Sequence, residues 1–340
     1  MYFTINSNKM FFMFILIFST LISISSNSWM GCWIGLEINL LSFIPLISNP
    51  KNLMTSEASL KYFLTQAIAS INFLFSILMK LILLKNFEMN LLLTMMINSS
   101  MLMKMGSAPF HFWFPNIVEG LNWMNCFILM TWQKITPMIL LSYYMNKNFL
   151  MLIMMINTMI GAIGGINQIS LRKLMSFSSF NKSSLNNNFH NNLEKILWNI
   201  MFSLYTFLMV YMCFLFNFMN TYFFNQLFII NTNCSMEFSL FMNFFSYGGL
   251  PSLLGLVPKW ISIKGSLINK FFIITFIFVM MSLITLFFYI RIIYSCILFN
   301  YMKLKWFKMF LKKMNIFLLF YLMALIFYMG MILSTFIFYN

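Results

Sequence analysis

Runs of about twenty apolar residues follow one another along nearly the whole chain and leave few alternatives for its fold. Lipid offers no hydrogen-bond partner to a backbone amide, so a spanning segment must satisfy its own amides as a helix or belong to a closed barrel. A soluble core could not absorb an apolar fraction of 61%. The sequence therefore predicts an all-α polytopic membrane protein in which residues 1–340 form a single transmembrane domain.

We expect about eleven transmembrane helices, each with about 20 residues or more to cross the hydrocarbon core. Two of them are expected to be discontinuous, one at Pro109 and one at Pro251 and Pro258. The predicted spans are 9–27, 29–48, 58–84, 90–118, 122–145, 149–167, 171–189, 195–218, 237–262, 271–299 and 315–339.

The stretch MLMKMGSAPFHFWFP, residues 101–115, places Lys104 near a glycine and two prolines inside an apolar region. A charged side chain at the centre of a spanning helix costs about 2.5 to 3.5 kcal/mol on insertion scales, so it usually faces a protein interior or a wet path. Pro109 has no N–H and cannot bond the carbonyl of Met105. These features predict a polar pocket of the kind that discontinuous helices form around ions. The alternative is a lysine whose stem reaches the membrane surface.

A single carboxylate, Glu37, lies about halfway along the second predicted span. Burial at this depth favours either the protonated acid or a cationic partner, and Lys104 is the candidate partner. The alternative is a neutral glutamic acid that is hydrogen-bonded within the helix bundle. Glu57 and Lys61, by contrast, have the spacing of an ordinary ion pair on one helix face, which is typical of an anchor at the membrane surface.

The combination of lysine and proline recurs twice further along the chain. Lys134 lies three residues before Pro137, and Lys259 directly follows Pro258 in a segment that also contains Pro251. Each proline removes one helical hydrogen bond, so each site is predicted to be a helix break. For Lys259, which is nearer the end of its span, extension to the surface remains an alternative.

His111 and Lys182 are two further candidates for proton exchange. His111 follows Pro109 by two residues, and imidazole titrates near neutral pH, although packing against the backbone explains a buried histidine equally well. Lys182 lies in a polar stretch and could line a central path or belong to a loop.

The net charge of +15 does not indicate a nucleic-acid-binding protein, because its lysines are scattered between apolar spans and form no basic groove. The cysteines show no metal-ligand spacing and are expected to pack as small apolar residues; they are Cys32, Cys126, Cys213, Cys234 and Cys296. The abundance of Met, Phe, Lys and Asn, all with A- and U-rich codons, favours an AT-rich organellar gene.

The segment from Lys303 to Lys313 is basic and aromatic, which is typical of a lipid surface. It could attract anionic head groups, with cardiolipin as one candidate. Ten of the eleven predicted spans precede this segment, so it lies on the side of the N-terminus, and the positive-inside rule then predicts a matrix or cytoplasmic N-terminus.

Several runs closely resemble subunit 2 of mitochondrial NADH dehydrogenase, particularly the insect type, which is an antiporter-like membrane subunit of respiratory complex I. The resemblance covers most of residues 26–180 and 237–262. The matching runs are SNSWMGCWIGLEINLLSFIPLIS, TSEASLKYFLTQAIAS, KMGSAPFHFWFPNIVEGLNWMNCFILMTWQKITP, GAIGGINQISLRKLMSFSS and GGLPSLLGLVPKW.

This resemblance implies a proton-translocating subunit of NADH:ubiquinone oxidoreductase in the mitochondrial inner membrane, with the N-terminus in the matrix. Glu37 would be the family's key glutamate, Lys104 its ion-pair partner, Lys134 the central relay and Lys259 the distal lysine. NADH, FMN, iron–sulfur clusters and ubiquinone would be bound by other subunits of the complex, which are the expected partners, and this chain would bind no cofactor.

The sequence departs from the family pattern at residues 181–185, NKSSL, where a histidine followed by Leu-Gly-Trp is common. Lys182 stands at the position of that histidine and could replace it as a relay group. Two other functions remain open at this point. One is a stand-alone cation/proton antiporter, and the other is a membrane scaffold subunit that does not pump.

Overall fold

The computed structural model describes residues 7–83, 90–144, 146–187, 195–229, 234–250, 253–268 and 270–298. Regular structure in these ranges is helical, apart from an isolated antiparallel bridge between Ser170 and Phe223. Contacts divide the chain into two compact units, Met1–Ile153 and Met154–Asn340.

The first unit is built from helices α1 to α7 and the beginning of α8. The helices are α1 (Ser7–Ser25), α2 (Trp29–Ile47), α3 (Leu53–Leu83), α4 (Asn90–Met105), α5 (Trp113–Gly120), α6 (Trp123–Met130), α7 (Trp132–Tyr143) and α8 (Lys147–Gly165). With 31 residues, α3 is about 46 Å long, enough to cross a bilayer and extend beyond its hydrocarbon core.

The second unit contains the rest of α8 and six further helices. These are α9 (Leu171–Asn187), α10 (Lys195–Met219), the short α11 (Gln226–Ile229), α12 (Cys234–Gly248), α13 (Leu256–Ile268) and α14 (Phe272–Leu298). Among the described residues of both units, six helices are long and apolar enough to span a membrane: α1, α2, α3, α8, α10 and α14.

Every predicted span except the last coincides with one helix or with a pair of helices. The last span, 315–339, and the basic segment Lys303–Lys313 lie outside the described residues. The structure is therefore that of an all-α membrane protein, and the count of eleven spans stays a prediction.

The fourth predicted span is divided, but a glycine rather than Pro109 ends its first helix. Helix α4 stops at Met105, and Gly106 follows with a φ of 70°. The Gly106 amide donates to the Met103 carbonyl at 3.2 Å and the next amide donates to the Leu102 carbonyl at 3.1 Å, which is a Schellman motif. The chain thus leaves the helix three residues before the proline, in a conformation that only glycine adopts easily.

The prediction of a break at Pro137 is wrong in its position. Pro137 lies inside α7, and the interruption falls at Thr131, between α6 and α7. The amide and the hydroxyl of Thr131 both bond the Phe127 carbonyl, at 3.0 Å and 2.7 Å. A proline interior to a helix removes one bond without necessarily ending it, and here the helix continues through the proline.

The ninth predicted span is also divided, into α12 and α13. Pro258 lies in the first turn of α13, where a backbone N–H has no helical partner, so this proline fits a helix start rather than breaking a helix. Pro251 lies outside the described residues.

Buried hydroxyl groups are satisfied mainly within their own helices. Ser19 and Ser42, for example, donate to carbonyls three residues back at 2.8 Å and 2.9 Å. This bond lets serine enter an apolar bundle without an unpaired donor. Where two helices cross closely, glycine removes the side chain instead: a Cβ on Gly35 of α2 would lie 2.7 to 2.9 Å from atoms of Ser23 on α1.

Candidate functional site

In the first unit, Lys104 occupies the last turn of α4 and is 8% exposed. Its carbonyl accepts a hydrogen bond from Nε2 of Gln66 on α3, at 3.2 Å. The last carbonyls of a helix have no partner within the helix, and a buried one needs a donor from elsewhere. Gln66 therefore supplies the bond that the end of α4 lacks and fixes α3 against the backbone of the lysine.

A small cavity of about 20 Å³ adjoins Lys104. A water molecule needs about 10 to 15 Å³ of such space, so one water fits. Its wall combines polar groups with apolar residues from four helices: Leu36, Asn39, Leu40, Tyr62, Gln66, Lys104, Gln133, Thr136 and Pro137. Within this wall, Nε2 of Gln133 donates to Oδ1 of Asn39 at 2.8 Å and links α7 to α2.

Glu37 is half-buried on α2 and attracts Lys104 electrostatically. The two side chains are farther apart than a direct salt bridge. The predicted partnership is therefore a charge interaction across a gap rather than a contact. Glu57 and Lys61, in contrast, form a direct salt bridge of 2.6 Å on the exposed face of α3, as their spacing predicted.

Lys134 is the second buried lysine of this unit, with 2% of its surface exposed. Its Nζ lies 4.8 Å from the centre of the Phe114 ring, which is a cation–π distance. Its amide donates to the Thr131 carbonyl at 3.2 Å, directly after the interruption between α6 and α7. Lys104 and Lys134 thus share a feature, since each lies within a turn of a helix end.

In the second unit, Lys259 of α13 lies at the C-terminal end of α12. Its Nζ donates to the Gly248 carbonyl at 2.5 Å. Gly249 follows with a φ of 74°, and its amide and that of Leu250 close a Schellman motif on Ser246 and Phe245, at 3.0 Å and 3.2 Å. A helix C-terminus carries a partial negative charge, so this end of α12 favours a cation.

Lys182 of α9 points its Nζ, which is buried, at the face of a tyrosine. The Nζ lies 3.0 Å from the centre of the Tyr247 ring and 5.4 Å from that of Tyr205. Lys259 is close enough to repel it electrostatically. The polar stretch around Lys182 is therefore helical at this residue, and the Nζ of the lysine is buried.

Lys182 and Lys259 line one cavity of about 50 Å³. At 10 to 15 Å³ for each water, it has room for about three to five molecules. The small polar residues in its wall come from α8, α9, α13 and α14: Thr158, Ser178, Asn181, Ser262, Ser282 and Thr285. The structure thus brings together Lys182 and Lys259, which sequence analysis had considered separately.

His111 lies in the connection between α4 and α5 and is half-buried. Its ring is 4.1 Å from that of Phe112, and its Nδ1 is 3.3 Å from the Pro109 carbonyl. It does not belong to the wall of the Lys104 cavity. A relay role for His111 stays a prediction.

The polar groups that complete the sites at Lys104 and at Lys182 were not predicted from the sequence. Gln66, a polar residue in the middle of an apolar span, was a signal that could have been used. Tyr247 gave no such signal, because the chain contains 14 tyrosines and 44 phenylalanines.

Metal ligation has no candidate among the described residues, in which no three His, Cys or Glu side chains come together. Four cysteines are free thiols and buried, as expected for small apolar residues: Cys32, Cys126, Cys213 and Cys296. The side chain of Cys234 lies outside the described part.

Solved structures share this fold. A chain of respiratory complex I from Thermus thermophilus with bound aureothin superposes with a TM-score of 0.81 at 14% identity, over 96% of this chain and 78% of that one. A chain of the Mrp complex from Dietzia sp. superposes with a TM-score of 0.72 at 12% identity, over 82% and 58% of the two chains.

Sequence identity to known proteins assigns the family more specifically than the shared fold does. The chain is 48% identical to NADH-ubiquinone oxidoreductase chain 2 of Anopheles gambiae, over 87% of both chains. It is 47% identical to the protein of the same name from Aedes aegypti, over 98% of both. Residues 26–285 match the family described as NADH:quinone oxidoreductase/Mrp antiporter, transmembrane. The predicted family is therefore confirmed, and the chain belongs to the NADH-ubiquinone oxidoreductase chain 2 family of antiporter-like membrane proteins.

Proposed function

We propose that this chain is a proton-translocating membrane subunit of NADH:ubiquinone oxidoreductase, respiratory complex I, and that its buried lysines carry the protons. One observation supports the proposal above others. Lysines line water-sized cavities beside helix ends in both units, at Lys104 and at Lys182 with Lys259. A single transmembrane domain accords with the family match, which runs from 26 to 285 and so includes parts of both units.

The cost of these lysines argues for a role in transport. Each charged group at the bilayer centre costs about 2.5 to 3.5 kcal/mol on insertion scales. A scaffold subunit gains nothing from four of them, whereas a proton carrier needs groups that change charge at membrane depth. The carbonyls at the ends of α4 and α12 partly offset this cost, because a helix C-terminus is negative.

The proposed roles follow from the surroundings of each residue. Glu37 modulates the charge of Lys104 across their gap, so that Lys104 holds or releases a proton as the charge near Glu37 changes. Lys134 is the central relay and Lys259 the distal one. Lys182 is proposed as an additional relay because it lines the cavity of Lys259.

A proton would move in short steps. It leaves the Nζ of a protonated lysine, passes to a water in the adjoining cavity and binds the next neutral group. Each step conserves charge, because one N–H or O–H bond breaks as another forms. Quinone reduction in other subunits would drive the sequence by changing the charge next to this chain.

We also propose partners, a membrane and a lipid contact for this chain. Its partners would be the other membrane subunits of complex I, which would hold NADH, FMN, iron–sulfur clusters and ubiquinone, while this chain binds no cofactor. It would lie in the mitochondrial inner membrane with its N-terminus in the matrix. The segment Lys303–Lys313 would bind inner-membrane lipid such as cardiolipin.

A native gel separates the proposal from the alternative of a stand-alone cation/proton antiporter. We expect the chain to migrate with NADH dehydrogenase activity. Migration as a free monomer that exchanges Na⁺ or K⁺ for protons would overturn the proposal.

Substitution of Lys104 tests the mechanism. We expect Lys104→Ala to lower proton translocation per NADH oxidised by reconstituted complex, with assembly largely intact. The matched control is Lys61→Ala, which removes an exposed lysine worth about 0.3 to 0.5 kcal/mol in its helical pair. Wild-type translocation by an assembled Lys104→Ala complex would reject the role of Lys104.

A further inference from the structure

The end of α12 holds two lysines through two adjacent residues. The ring of Tyr247 faces the Nζ of Lys182 at 3.0 Å, and the carbonyl of Gly248 accepts the Nζ of Lys259 at 2.5 Å. Both lysines line the same cavity of about 50 Å³. A single helix end is therefore in contact with both cations.

Carboxylates are scarce around this pair. The sequence from 154 to 340 contains two glutamates, Glu194 and Glu237, and no aspartate. Glu237 does not line the cavity, and among the described residues the other titratable members of the wall are tyrosines: Tyr205, Tyr247 and Tyr289. Within the part of the wall that the structure describes, a lysine charge is balanced by dipoles and aromatic faces and not by a carboxylate.

Two ammonium groups that line one such cavity repel each other, because like charges at short range disfavour the charged form of both. A single positive charge is the arrangement that the surroundings can balance. It is stabilised at Lys182 by the face of Tyr247 and at Lys259 by the carbonyl of Gly248.

We propose that the end of α12, Tyr247 with Gly248, serves as the counter-ion of a lysine pair that shares one proton, and that Tyr247 is a positioning residue for transfer between Lys182 and Lys259. The inference rests on the proposed function. In the step, an N–H bond of one ammonium breaks and an N–H bond forms on the other amine through cavity water. The charge of the pair stays at one throughout.

The hydroxyl and the ring of Tyr247 have separable roles. The hydroxyl donates to the sulfur of Met209, away from the lysine, whereas the ring face receives Lys182. Tyr247→Phe removes the hydroxyl and keeps the face, and Tyr247→Leu removes the face. If the ring face is what matters, Tyr247→Phe and Tyr247→Leu should therefore have different effects.

The test is the ratio of protons translocated to NADH oxidised by reconstituted complex. We expect Tyr247→Phe to keep the ratio and Tyr247→Leu to lower it by at least about half, because a desolvated cation–π contact shifts an equilibrium tenfold or more. Tyr211→Leu is the matched control, since Tyr211 is buried in the same unit but does not line the cavity. It should keep the ratio even if the complex loses stability.

A double variant separates positioning from structure. In a Lys182→Met background, Tyr247→Leu should lower the ratio no further, because the ring then has no cation to hold. A further loss there, a wild-type ratio in Tyr247→Leu, or equal losses in Tyr247→Phe and Tyr247→Leu would each overturn the inference.

A fluorinated ring keeps the test decisive if Tyr247→Leu does not assemble. Trifluorophenylalanine at 247 preserves the shape of the ring and weakens the negative potential of its face, so the ratio should fall relative to Tyr247→Phe. An unchanged ratio would overturn the inference. If Lys104→Ala lowers the ratio and no Tyr247 variant does, the inference alone fails; if Lys104→Ala pumps normally, the proposed function fails.

Discussion

Alanine at position 249 would disturb the end of α12 in two ways. Gly249 has a φ of 74°, a conformation that costs an L-residue strain. A Cβ there would also lie 2.7 Å from Cδ and Cε of Lys259 and 2.9 Å from its Nζ. Such contacts are too short to persist, so the lysine would have to leave the Gly248 carbonyl.

The magnitude follows from these two effects. The left-handed conformation costs about 1 to 2 kcal/mol, and a hydrogen bond from a charged donor contributes about 1.5 to 3 kcal/mol. Gly249→Ala is therefore expected to destabilise the helix end by roughly 2.5 to 5 kcal/mol.

Hydrogen exchange by mass spectrometry measures this local stability. The amides of Gly249 and Leu250 are bonded to carbonyls of the last turn, and their protection reports its opening. At 1.4 kcal/mol for each factor of ten, Gly249→Ala should lower protection by roughly 60-fold or more. Translocation per NADH should fall as well, because Lys259 loses its position.

Gly248→Ala is the matched control. Gly248 is the last residue of α12, and the nearest atom to a Cβ there would be Cγ of Leu286 at 3.6 Å, an ordinary contact. Alanine exceeds glycine in helix propensity by up to about 1 kcal/mol, so Gly248→Ala should retain protection or gain some. Equal protection in the two variants would refute the assignment of Lys259 to this helix end.

Three further substitutions test other contacts. Gln66→Leu should leave the Lys104 carbonyl without its donor, cost about 1 to 3 kcal/mol and lower translocation; wild-type thermal stability and translocation would contradict this. Gly35→Ala should separate α1 from α2 at Ser23 and lower the free energy of unfolding by about 1 to 3 kcal/mol, which is measured as a lower melting temperature of the complex. An unchanged melting temperature would argue against the close crossing. Glu57→Gln should change stability by about 0.5 kcal/mol or less, because its salt bridge is exposed, and a large loss in the same measurement would indicate a different role.

The sequence predicted the positions of the helices and of the buried lysines well, for a physical reason. Charged residues are expensive in a membrane, so Lys104, Lys134 and Lys259 stand out from an apolar background. Lys104 and Lys134 are buried in the structure, whereas Lys259 is partly exposed. The apolar runs similarly located the helices of the described part, because length and composition alone determine what can span lipid.

Helix ends were predicted less well, because proline is a weaker indicator of a break than glycine in the left-handed conformation. The sequence pointed to Pro109 and Pro137, whereas the structure ends α4 before Gly106 and interrupts the next pair of helices at Thr131. A Cβ at Gly106 would also lie 2.9 Å from atoms of the Phe114 side chain, a close approach that no local sequence pattern shows.

Contacts between distant residues could not be predicted. Gln66 and Lys104 are 38 positions apart, and Lys182 meets Tyr247 across a still longer separation. In a chain so rich in aromatic residues, no local pattern distinguishes the tyrosine that faces a lysine from those that pack against lipid or protein. The three-dimensional arrangement is needed to identify it.

Substitution of Lys134 is the most direct test of proton transfer through buried lysines. Its Nζ is enclosed and faces Phe114, and Lys134→Met replaces it with an uncharged side chain of similar length. The measurement is the ratio of protons translocated to NADH oxidised by assembled complex in sealed vesicles. We expect a clear fall in this ratio, whereas a wild-type ratio in a fully assembled Lys134→Met complex would contradict proton transfer through the buried lysines.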